Sequence, residues 1–332
     1  MVGCAQPAGE QGYNLGRAVS LLAGLRDVPG TTVNRYCSSS LQSIRMAAHA
    51  IQAGEGDVFV AAGVECVSRF KLGKADGMEG TKNSRFQPGG DLAEYYLPMG
   101  LTAENVARRC GVSRAAQDSF AARSQQRAVA AADAGVFDRE ITPVTLADGT
   151  QVARDDCPRA GTTVEKLSGL RTVFMEEGGT VTAGNCCPLN DGAAAVVVMS
   201  ERAVRELGVT PRARILSTAL SALEPEYMGL GPIVSSRRAL ARAGLTMADM
   251  DRVEINEAFA AQVVPSAREL EVPDDRLNVH GGAIALGHPF GMTGARIAVT
   301  LLNALDLCDG RYGLETMCVG GGQGMAMVVE RL

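Results

Sequence analysis

Cys37 stands where an extended run meets a predicted helix, and this position suits a reactive thiol. Residues 33–43 read VNRYCSSSLQS, with branched residues just before this segment and three serines after the cysteine. Apolar residues then recur at helical spacing from Leu41 to Ile51, which predicts that a helix begins just after the thiol. Unpaired N–H groups and the positive end of the helix dipole favour thiolate, the nucleophilic form of cysteine. The alternative interpretation is a small buried core residue.

Three further residues occupy similar junctions and could complete such a site. His288 lies in GGAIALGHPFGMTGAR and could be a base for a thiol or a turn residue. Cys318 lies in MCVGGGQG, where consecutive glycines leave backbone N–H groups free to bind an oxyanion. Asn256 lies in INEAFAAQ and could cap a helix or hold a water that binds an oxyanion. All four follow predicted parallel strands, where open α/β sheets place their sites, so together they predict thiol chemistry on a carbonyl.

The elements that must position these residues form two similar halves. Strand-like and helical runs alternate, which predicts an α/β protein with parallel sheets. The strand before Cys37 matches the strand before His288, DVFVAAGVE matches LETMCVGGG, and AAAVVVMS matches MAMVVERL. This element order indicates an internal duplication, with a fifth strand of the second half expected near 277–279.

The same patterns predict the domain boundaries. We expect the first half to comprise residues 1–68 and 182–200, and the second half to comprise residues 201–332. Between the two parts of the first half, residues 69–181 carry charged helices over 103–110 and 114–134 and a DG hairpin signal. We therefore expect an inserted, mostly helical loop domain there.

Composition excludes several classes of function. The chain has 332 residues, of which 46% are hydrophobic and 21% charged, which is typical of a globular protein with a substantial core. A net charge of −5 disfavours non-specific nucleic-acid binding. No apolar run reaches the ~18 residues of a membrane span. No secretory signal is visible, and nine cysteines without a CxxC pair predict free thiols, a cytoplasmic protein and no metal site.

Four blocks of the sequence resemble the signature blocks of the thiolase family, in order and in separation. They are VNRYCSSSLQ, NEAFAAQ, GGAIALGHPFGMTGAR and CVGGGQGMAMVVE, and the similarity continues through TAENVA, GGTVTAGN and NDGAAAVVVMS. The resemblance implies an α/β thiolase fold, with two similar five-stranded mixed-sheet halves in a layered αβαβα arrangement and an inserted helical loop domain that binds coenzyme A. It also implies a homodimer or homotetramer without a permanently bound cofactor, since coenzyme A is a substrate.

The resemblance assigns a role to each candidate residue. Cys37 is the nucleophile that becomes acylated, His288 deprotonates it, and Cys318 is the acid/base that protonates the leaving acetyl-CoA enolate. Asn256, through a water, and His288 bind the thioester oxygen of the acetyl-CoA unit. The backbone N–H groups of Cys37 and Gly320 bind the acyl-enzyme oxygen. These roles imply an acyltransferase that cleaves 3-ketoacyl-CoA with CoA, or runs the reverse Claisen condensation, with ping-pong kinetics.

The resemblance also implies residues that contact CoA or the acyl chain. These are Met99, Arg159, Ala183, Leu189, Met228 and Phe259. Met228 is expected to line the acyl pocket. Cys187 stands where the family commonly has a serine that touches the pantetheine, and Pro188 where it often has glycine. These two differences from the family pattern affect how the chain would contact CoA at this point.

Further sequence features concern the subtype. VNR before the cysteine and LPMGLTAENVA resemble degradative 3-ketoacyl-CoA thiolases of fatty acid β-oxidation. Biosynthetic acetoacetyl-CoA thiolases, the alternative, more often carry a histidine where this chain has Pro98. A decarboxylating condensing enzyme would pair its nucleophile with two histidines or with histidine and asparagine, which Cys318 disfavours.

The position of Met1 raises a second alternative. Family members begin with a strand and helices upstream of this point, and we expect that strand to be central in the first sheet. Without that strand, the backbone N–H and C=O groups of its neighbours would be unpaired, which would lower the stability of the fold. A folded but inactive CoA-binding remnant is therefore the alternative to an active thiolase.

Overall fold

The computed structural model describes residues 1–69 and 82–332, so the predicted loop domain lies partly outside the described residues. The strands in chain order are β1 (Val2–Gly3), β2 (Thr32–Val33), β3 (Val58–Glu65), β4 (Val144–Thr145), β5 (Gln151–Val152), β6 (Gly192–Met199), β7 (Ala213–Ala222), β8 (Arg252–Ile255), β9 (Tyr312–Val319) and β10 (Gln323–Arg331). The α-helices are α1 (Leu15–Leu22), α2 (Ser39–Gln52), α3 (Met99–Cys110), α4 (Arg114–Asp133), α5 (Val164–Ser168), α6 (Glu201–Leu207), α7 (Gly231–Ala243), α8 (Ala260–Glu269), α9 (Ala283–Leu286) and α10 (Thr293–Cys308).

The two large sheets share a strand order, as the internal duplication predicts. The first runs β2-β1-β3-β6, with β1 parallel to β2 and β3, and with β6 antiparallel to β3. The second runs β8-β9-β10-β7, with β8 parallel to β9, and with β10 antiparallel to both of its neighbours. The β3–β6 and β9–β10 pairs are therefore equivalent, which confirms the predicted correspondence between the halves.

One expectation about the strands differs from the structure. The fifth strand expected near 277–279 is reduced to a bridge, in which Leu277 pairs in parallel with Val253. The leading strand of the second half, β7, lies at the edge of its sheet beside β10. The expected central position of a corresponding strand in the first sheet stays a prediction.

Two helices, α2 and α10, form the layer between the sheets. Leu41 and Ile44 of α2 share one buried cluster with Ile297 and Leu301 of α10, and both sheets contribute residues to it. On its other face, the second sheet is covered by α7. This layering follows the expected thiolase arrangement and brings the start of α2 close to the start of α10.

The outer face of the first sheet lacks an equivalent of α7 among the described residues. Val58 and Val60 of β3 are 48% and 46% exposed, and Val197 of β6 is 55% exposed. Alternate residues of these strands, such as Ala61, face the buried layer instead. The sheet is therefore buried on one face and apolar but accessible on the other.

The predicted helices of the inserted region are confirmed as α3 and α4, although α3 begins earlier. Gly111 ends α3 with φ of 64°, a left-handed conformation that glycine adopts without strain. The Ser113 side chain then accepts a hydrogen bond from Ala116 and caps α4. Both helices pack against α8, and the predicted hairpin forms as β4–β5. Among the described residues, no helix has the length and apolar composition that a membrane crossing requires.

Two carboxylates lie side by side beneath α10. Glu254 of β8 and Glu315 of β9 are register partners on parallel strands, and both are fully buried. In the part of the chain that the structure describes, neither oxygen of Glu315 has a hydrogen-bond partner. Burial raises the pKa of Glu254 to about 8 and that of Glu315 well above its ordinary value, while Arg296 opposes both shifts. The folded protein therefore holds protons here that the unfolded chain releases.

Replacing Glu315 by glutamine should stabilise the protein at high pH. Because the folded pKa is raised, the stability of the wild type is full below the unfolded pKa and falls as pH rises toward the folded pKa. The amide does not titrate, so we expect a gain of about 1–4 kcal/mol at pH ~8 that shrinks toward pH ~5. Urea unfolding of Glu315→Gln across this range measures it. Exposed Glu176→Gln is the matched control, and equal pH slopes for wild type and Glu315→Gln would contradict the prediction.

Candidate active site

Cys37 lies in a 3₁₀ turn, Tyr36–Ser38, that leads into α2. Burial raises the pKa of this half-buried residue to about 11, although hydrogen bonds from the backbone of Gly320 and from its own backbone oppose the shift. The backbone N–H groups thus favour thiolate as expected, but the expectation of a thiolate is wrong for the resting protein, because desolvation outweighs these hydrogen bonds. Cys37 rests as a thiol and needs a base, but the two N–H groups on its sulfur are the predicted oxyanion donors.

Cys318 is a second buried thiol close to the first. It is the second-last residue of β9, two residues before the turn that begins at Gly320, and it has no exposed surface. Burial raises its pKa, and a negative charge on Cys37 raises it further, which requires the two sulfurs to be near each other. Its side chain packs in an apolar cluster with Met228 and Phe259. A neutral thiol in this position can donate a proton to a nearby carbanion.

The ring of His288 is fixed in one tautomer. The Thr293 hydroxyl donates to the carbonyl of Pro289 at 2.9 Å and lies 2.7 Å from Nδ1 of His288. Because its one proton is used, this hydroxyl accepts from Nδ1–H, and Nε2 keeps its lone pair. The side-chain nitrogen of Asn256 lies 3.3 Å from Nε2. Burial, helped by Arg296, lowers the pKa of His288 to about 3, so the ring is a neutral acceptor.

Strand pairing puts Asn256 beside Cys318. The backbone N–H of Asn256 donates to the carbonyl of Thr316 at 3.0 Å, which extends the β8–β9 ladder by one step. Thr316 precedes Cys318 by two residues on β9. The side chains of Asn256 and Cys318 therefore lie at the same edge of the second sheet, and Nε2 of His288 lies beside the Asn256 side chain.

The segment after His288 is tied to the first half. Ser40, in the first turn of α2, donates its backbone N–H to Gly291 at 3.1 Å and its hydroxyl to the carbonyl of Met292 at 2.8 Å. Buried Glu65, at the end of β3, accepts the N–H of Gly291 at 2.8 Å. A Cβ at Gly63 would lie 2.2 Å from the Gly291 carbonyl oxygen, so this approach requires glycine. Residues 288–293 are thus held against the first turn of α2, just after Cys37.

A second buried carboxylate, Glu257, holds the segment before His288. It accepts hydrogen bonds from the Ser124 hydroxyl at 2.5 Å, the Asn278 side chain at 2.8 Å and the Ile284 N–H at 3.1 Å. Burial raises its pKa, and these three donors oppose the shift. Sequence reasoning missed Glu65, Glu257 and Thr293. Glu257 was visible inside the NEAF block, but its partners lie far away in the sequence.

The six residues expected to contact CoA or the acyl chain fall into two groups. Arg159, Ala183 and Leu189 line a cavity of about 1150 Å³ between the loop region and the two halves. Pro188, one of the two departures from the family pattern, also lines this cavity.

Met99, Met228 and Phe259 form the second group, which packs in the same cluster as Cys318. Cys187 links the two groups. It precedes Pro188 in the sequence, and its backbone N–H donates to the carbonyl of Ala258, next to Phe259, at 3.0 Å. The structure therefore brings the predicted catalytic residues to one place and separates the predicted binding residues into an outer and an inner set.

A duplicated α/β fold with a protonated thiol, two N–H donors on its sulfur, a neutral imidazole and a second thiol holds the groups that acyl transfer to a cysteine requires. Residues 1–202 match the thiolase N-terminal domain, and residues 209–331 match the thiolase C-terminal domain. The chain belongs to the thiolase family, and by class it is an acyl-CoA thiolase.

Curated relatives agree with this family over the whole chain. A beta-ketoadipyl-CoA thiolase of Escherichia coli is 46% identical over 350 residues, covering 100% of this chain and 87% of the relative. A 3-oxoadipyl-CoA/3-oxo-5,6-dehydrosuberyl-CoA thiolase of Escherichia coli strain K12 is 47% identical with the same coverage. A 3-ketoacyl-CoA thiolase of Cronobacter sakazakii is 47% identical over 340 residues, covering 99% of this chain and 86% of the relative.

Proposed function

We propose that the chain catalyses CoA-dependent cleavage of 3-ketoacyl-CoA to acetyl-CoA and a shortened acyl-CoA, and the reverse condensation, through an acyl-Cys37 intermediate. The observation that carries this proposal is the contact of the Cys37 sulfur with two backbone donors while Cys318 lies close by. A retro-Claisen cleavage needs a soft nucleophile, an oxyanion site and a separate proton donor, and these groups supply all three.

The first half-reaction begins at His288. Its Nε2 takes the proton of Cys37, and the thiolate attacks the 3-keto carbon. The N–H groups of Cys37 and Gly320 bind the resulting oxyanion. The carbon–carbon bond then breaks to give acyl-Cys37 and the enolate of acetyl-CoA, whose oxygen is bound by His288 and by a water held on Asn256. Cys318 protonates the enolate carbon and becomes a thiolate.

The second half-reaction restores both thiols. The thiolate of Cys318 takes the proton of an incoming CoA thiol, whose sulfur attacks the acyl carbon. The same two backbone N–H groups bind the second oxyanion. Cys37 leaves as thiolate and recovers its proton from His288, so protons balance over the cycle. CoA is a substrate in this scheme, and no permanently bound cofactor is proposed.

The outer cavity is the proposed site of CoA. Arg154, Arg159 and Lys166 line it together with Asp155, Asp156 and Asp191, and the three cationic side chains are the proposed partners of phosphate groups. The inner set of Met99, Met228 and Phe259 adjoins Cys318, and an acyl chain there would contact apolar surface. The thioester then lies between the two sets, where Cys37 and His288 can reach it.

A degradative role in β-oxidation, in the cytoplasm, is the proposed subtype. The names of two relatives, 3-ketoacyl-CoA thiolase and beta-ketoadipyl-CoA thiolase, support substrates longer than acetoacetyl-CoA. Pro98 also differs from the histidine common in biosynthetic enzymes. No nucleic-acid or membrane partner is proposed. A preference for acetoacetyl-CoA over longer 3-ketoacyl-CoA would favour the biosynthetic alternative.

A homodimer is the proposed assembly, and a tetramer of such dimers is compatible with it. Leu21, Leu22 and Leu25 in and after α1 are 49%, 88% and 45% exposed, beside the edge strand β2. Such an apolar patch next to a free edge is typical of an interface. Native mass spectrometry measures the assembly, and a monomer at every accessible concentration contradicts it.

Thiolysis of a series of 3-ketoacyl-CoA substrates tests the proposed reaction. We expect loss of substrate that depends on added CoA, a rise in acetyl-CoA, and parallel double-reciprocal plots, because the acyl enzyme separates the two half-reactions. A folded chain that binds CoA without turnover would instead support the inactive remnant.

A further inference from the structure

Arg35 joins the turn that carries Cys37 to the second sheet. Its Nε donates to the Gln42 side chain at 3.0 Å, and its Nη1 donates to Oε1 of Gln323 at 2.7 Å. The backbone N–H of Arg35 also donates to Ser39 at 2.9 Å, so the residue is fixed at both ends. The guanidinium thus spans from α2 in the first half to the first residue of β10 in the second.

Gln323 hydrogen-bonds both Arg35 and Gly320. While its oxygen accepts from Arg35, its Nε2 donates to the carbonyl of Gly320 at 3.3 Å. The oxygen and the nitrogen of one side-chain amide therefore both form hydrogen bonds, one to Arg35 and one to the Gly320 turn. Gly320 is also the residue whose backbone contacts the Cys37 sulfur.

The turn that contains Gly320 joins β9 to β10, and the Val319–Gln323 pair closes it. Gly321 and Gly322 have φ of +76° and +77°, a region that glycine enters freely, and they carry no side chains. The Leu223 N–H donates to the Gly322 carbonyl at 2.8 Å. At the other end of the turn, the amide of Gln323 is the side chain that hydrogen-bonds the Gly320 carbonyl.

We propose that Arg35 and Gln323 are positioning residues that fix the separation between the backbone N–H groups of Cys37 and Gly320, and with it the rate at which Cys37 is acylated. Oxyanion donors act over a narrow range of distance, and the loss of one such donor costs about 10²–10³-fold in kcat. The inference rests on the proposed function, because those two N–H groups are the proposed oxyanion site.

Gln323→Glu separates the two links of this arrangement. The carboxylate still accepts from Arg35, but it cannot donate to Gly320, and it repels that carbonyl oxygen. We expect kcat for thiolysis to fall about 10–100-fold. KM for CoA should stay within about twofold, since the CoA cavity is untouched. Arg35→Lys, which loses the fixed geometry of the guanidinium, should give a smaller fall in kcat.

Alkylation of Cys37 by iodoacetamide gives a readout that does not depend on turnover. The Gly320 contact favours the thiolate of Cys37, so its loss should move the pH profile of alkylation to higher pH both in Gln323→Glu and in Gln323→Met, which removes the donor without adding a charge. The charge of Glu65 also raises the pKa of Cys37, and the variant leaves Glu65 unchanged. A merely structural role would lower the melting temperature without moving this profile.

Gln52→Glu is the matched control, because it makes the same exchange at an exposed position at the end of α2. It should keep the wild-type kcat and alkylation profile. A Gln323→Glu protein with wild-type kcat and profile overturns the positioning role, as does one whose melting temperature alone changes. If wild type lacks thiolysis but Gln323→Glu still shifts the alkylation profile, the proposed function fails while the positioning of Cys37 stands.

Discussion

Replacing Cys37 by alanine will leave a folded chain that no longer cleaves 3-ketoacyl-CoA, with a fall in kcat of ~10⁴-fold or more. The reason is that both half-reactions in the proposed mechanism pass through the sulfur of Cys37. The side chain is small and half-buried, so the loss of stability should be minor. Steady-state thiolysis and acyl labelling, followed by mass spectrometry of peptides, measure the two effects together.

A second cysteine provides the control for this variant. Cys308 is also half-buried, but it lies at the end of α10, where its sulfur contacts the Leu305 carbonyl at 3.5 Å. Cys308→Ala should keep both labelling and turnover. Retention of thiolysis in Cys37→Ala, or acyl label on a different cysteine of the wild type, would remove the basis of the proposed mechanism.

The sequence was informative where function depends on a local junction. Cys37, Asn256 and Cys318 each sit within a few residues of a strand end, so element order alone predicted a shared edge. His288 was harder, because it follows a short helix and no strand, yet its glycine-rich surroundings marked a tight turn. The two-half fold could therefore be predicted before the structure, and the thiolase family could be predicted from the resemblance of four sequence blocks.

The protonation of the site could not be predicted in this way. The helix-terminus argument favoured a thiolate at Cys37, but the pKa depends on how much of the molecule covers the sulfur, and that cover comes from distant segments. The tautomer of His288 depends on a hydroxyl whose proton is already used by a backbone carbonyl. Such details are set by three-dimensional neighbours, which spacing along the chain does not encode.

Strand order was missed for a related reason. A run such as Ala213–Ala222 shows that it is a strand, but its neighbours are chosen by pairing with β10, more than a hundred residues later. Chain order is not spatial order, so the place of such a strand in its sheet does not follow from its place in the sequence. The antiparallel β3–β6 and β9–β10 pairs were recognised because each repeats the same apolar pattern in both halves.

Replacing Cys318 by alanine should separate the two sulfurs by function. In the proposed mechanism this thiol moves the proton on the α-carbon of acetyl-CoA, while Cys37 carries the acyl chain. We expect thiolysis to fall about 10²–10⁴-fold, the range for loss of a general acid or base. Acetyl label from acetyl-CoA should still reach Cys37. Exchange of the acetyl-CoA methyl protons with deuterium from the solvent, followed by NMR, should be lost.

Acyl labelling and proton exchange, compared between the two variants, test which thiol is the nucleophile and which is the acid. Cys37→Ala should lose acyl labelling, and Cys318→Ala should keep labelling but lose proton exchange, because burial keeps Cys318 protonated until a carbanion forms beside it. The opposite pattern, with labelling lost and exchange kept in Cys318→Ala, would show that the two thiols have exchanged roles. Loss of both in either variant, with the fold intact by circular dichroism, would mean that the thiols act as one unit rather than as nucleophile and acid.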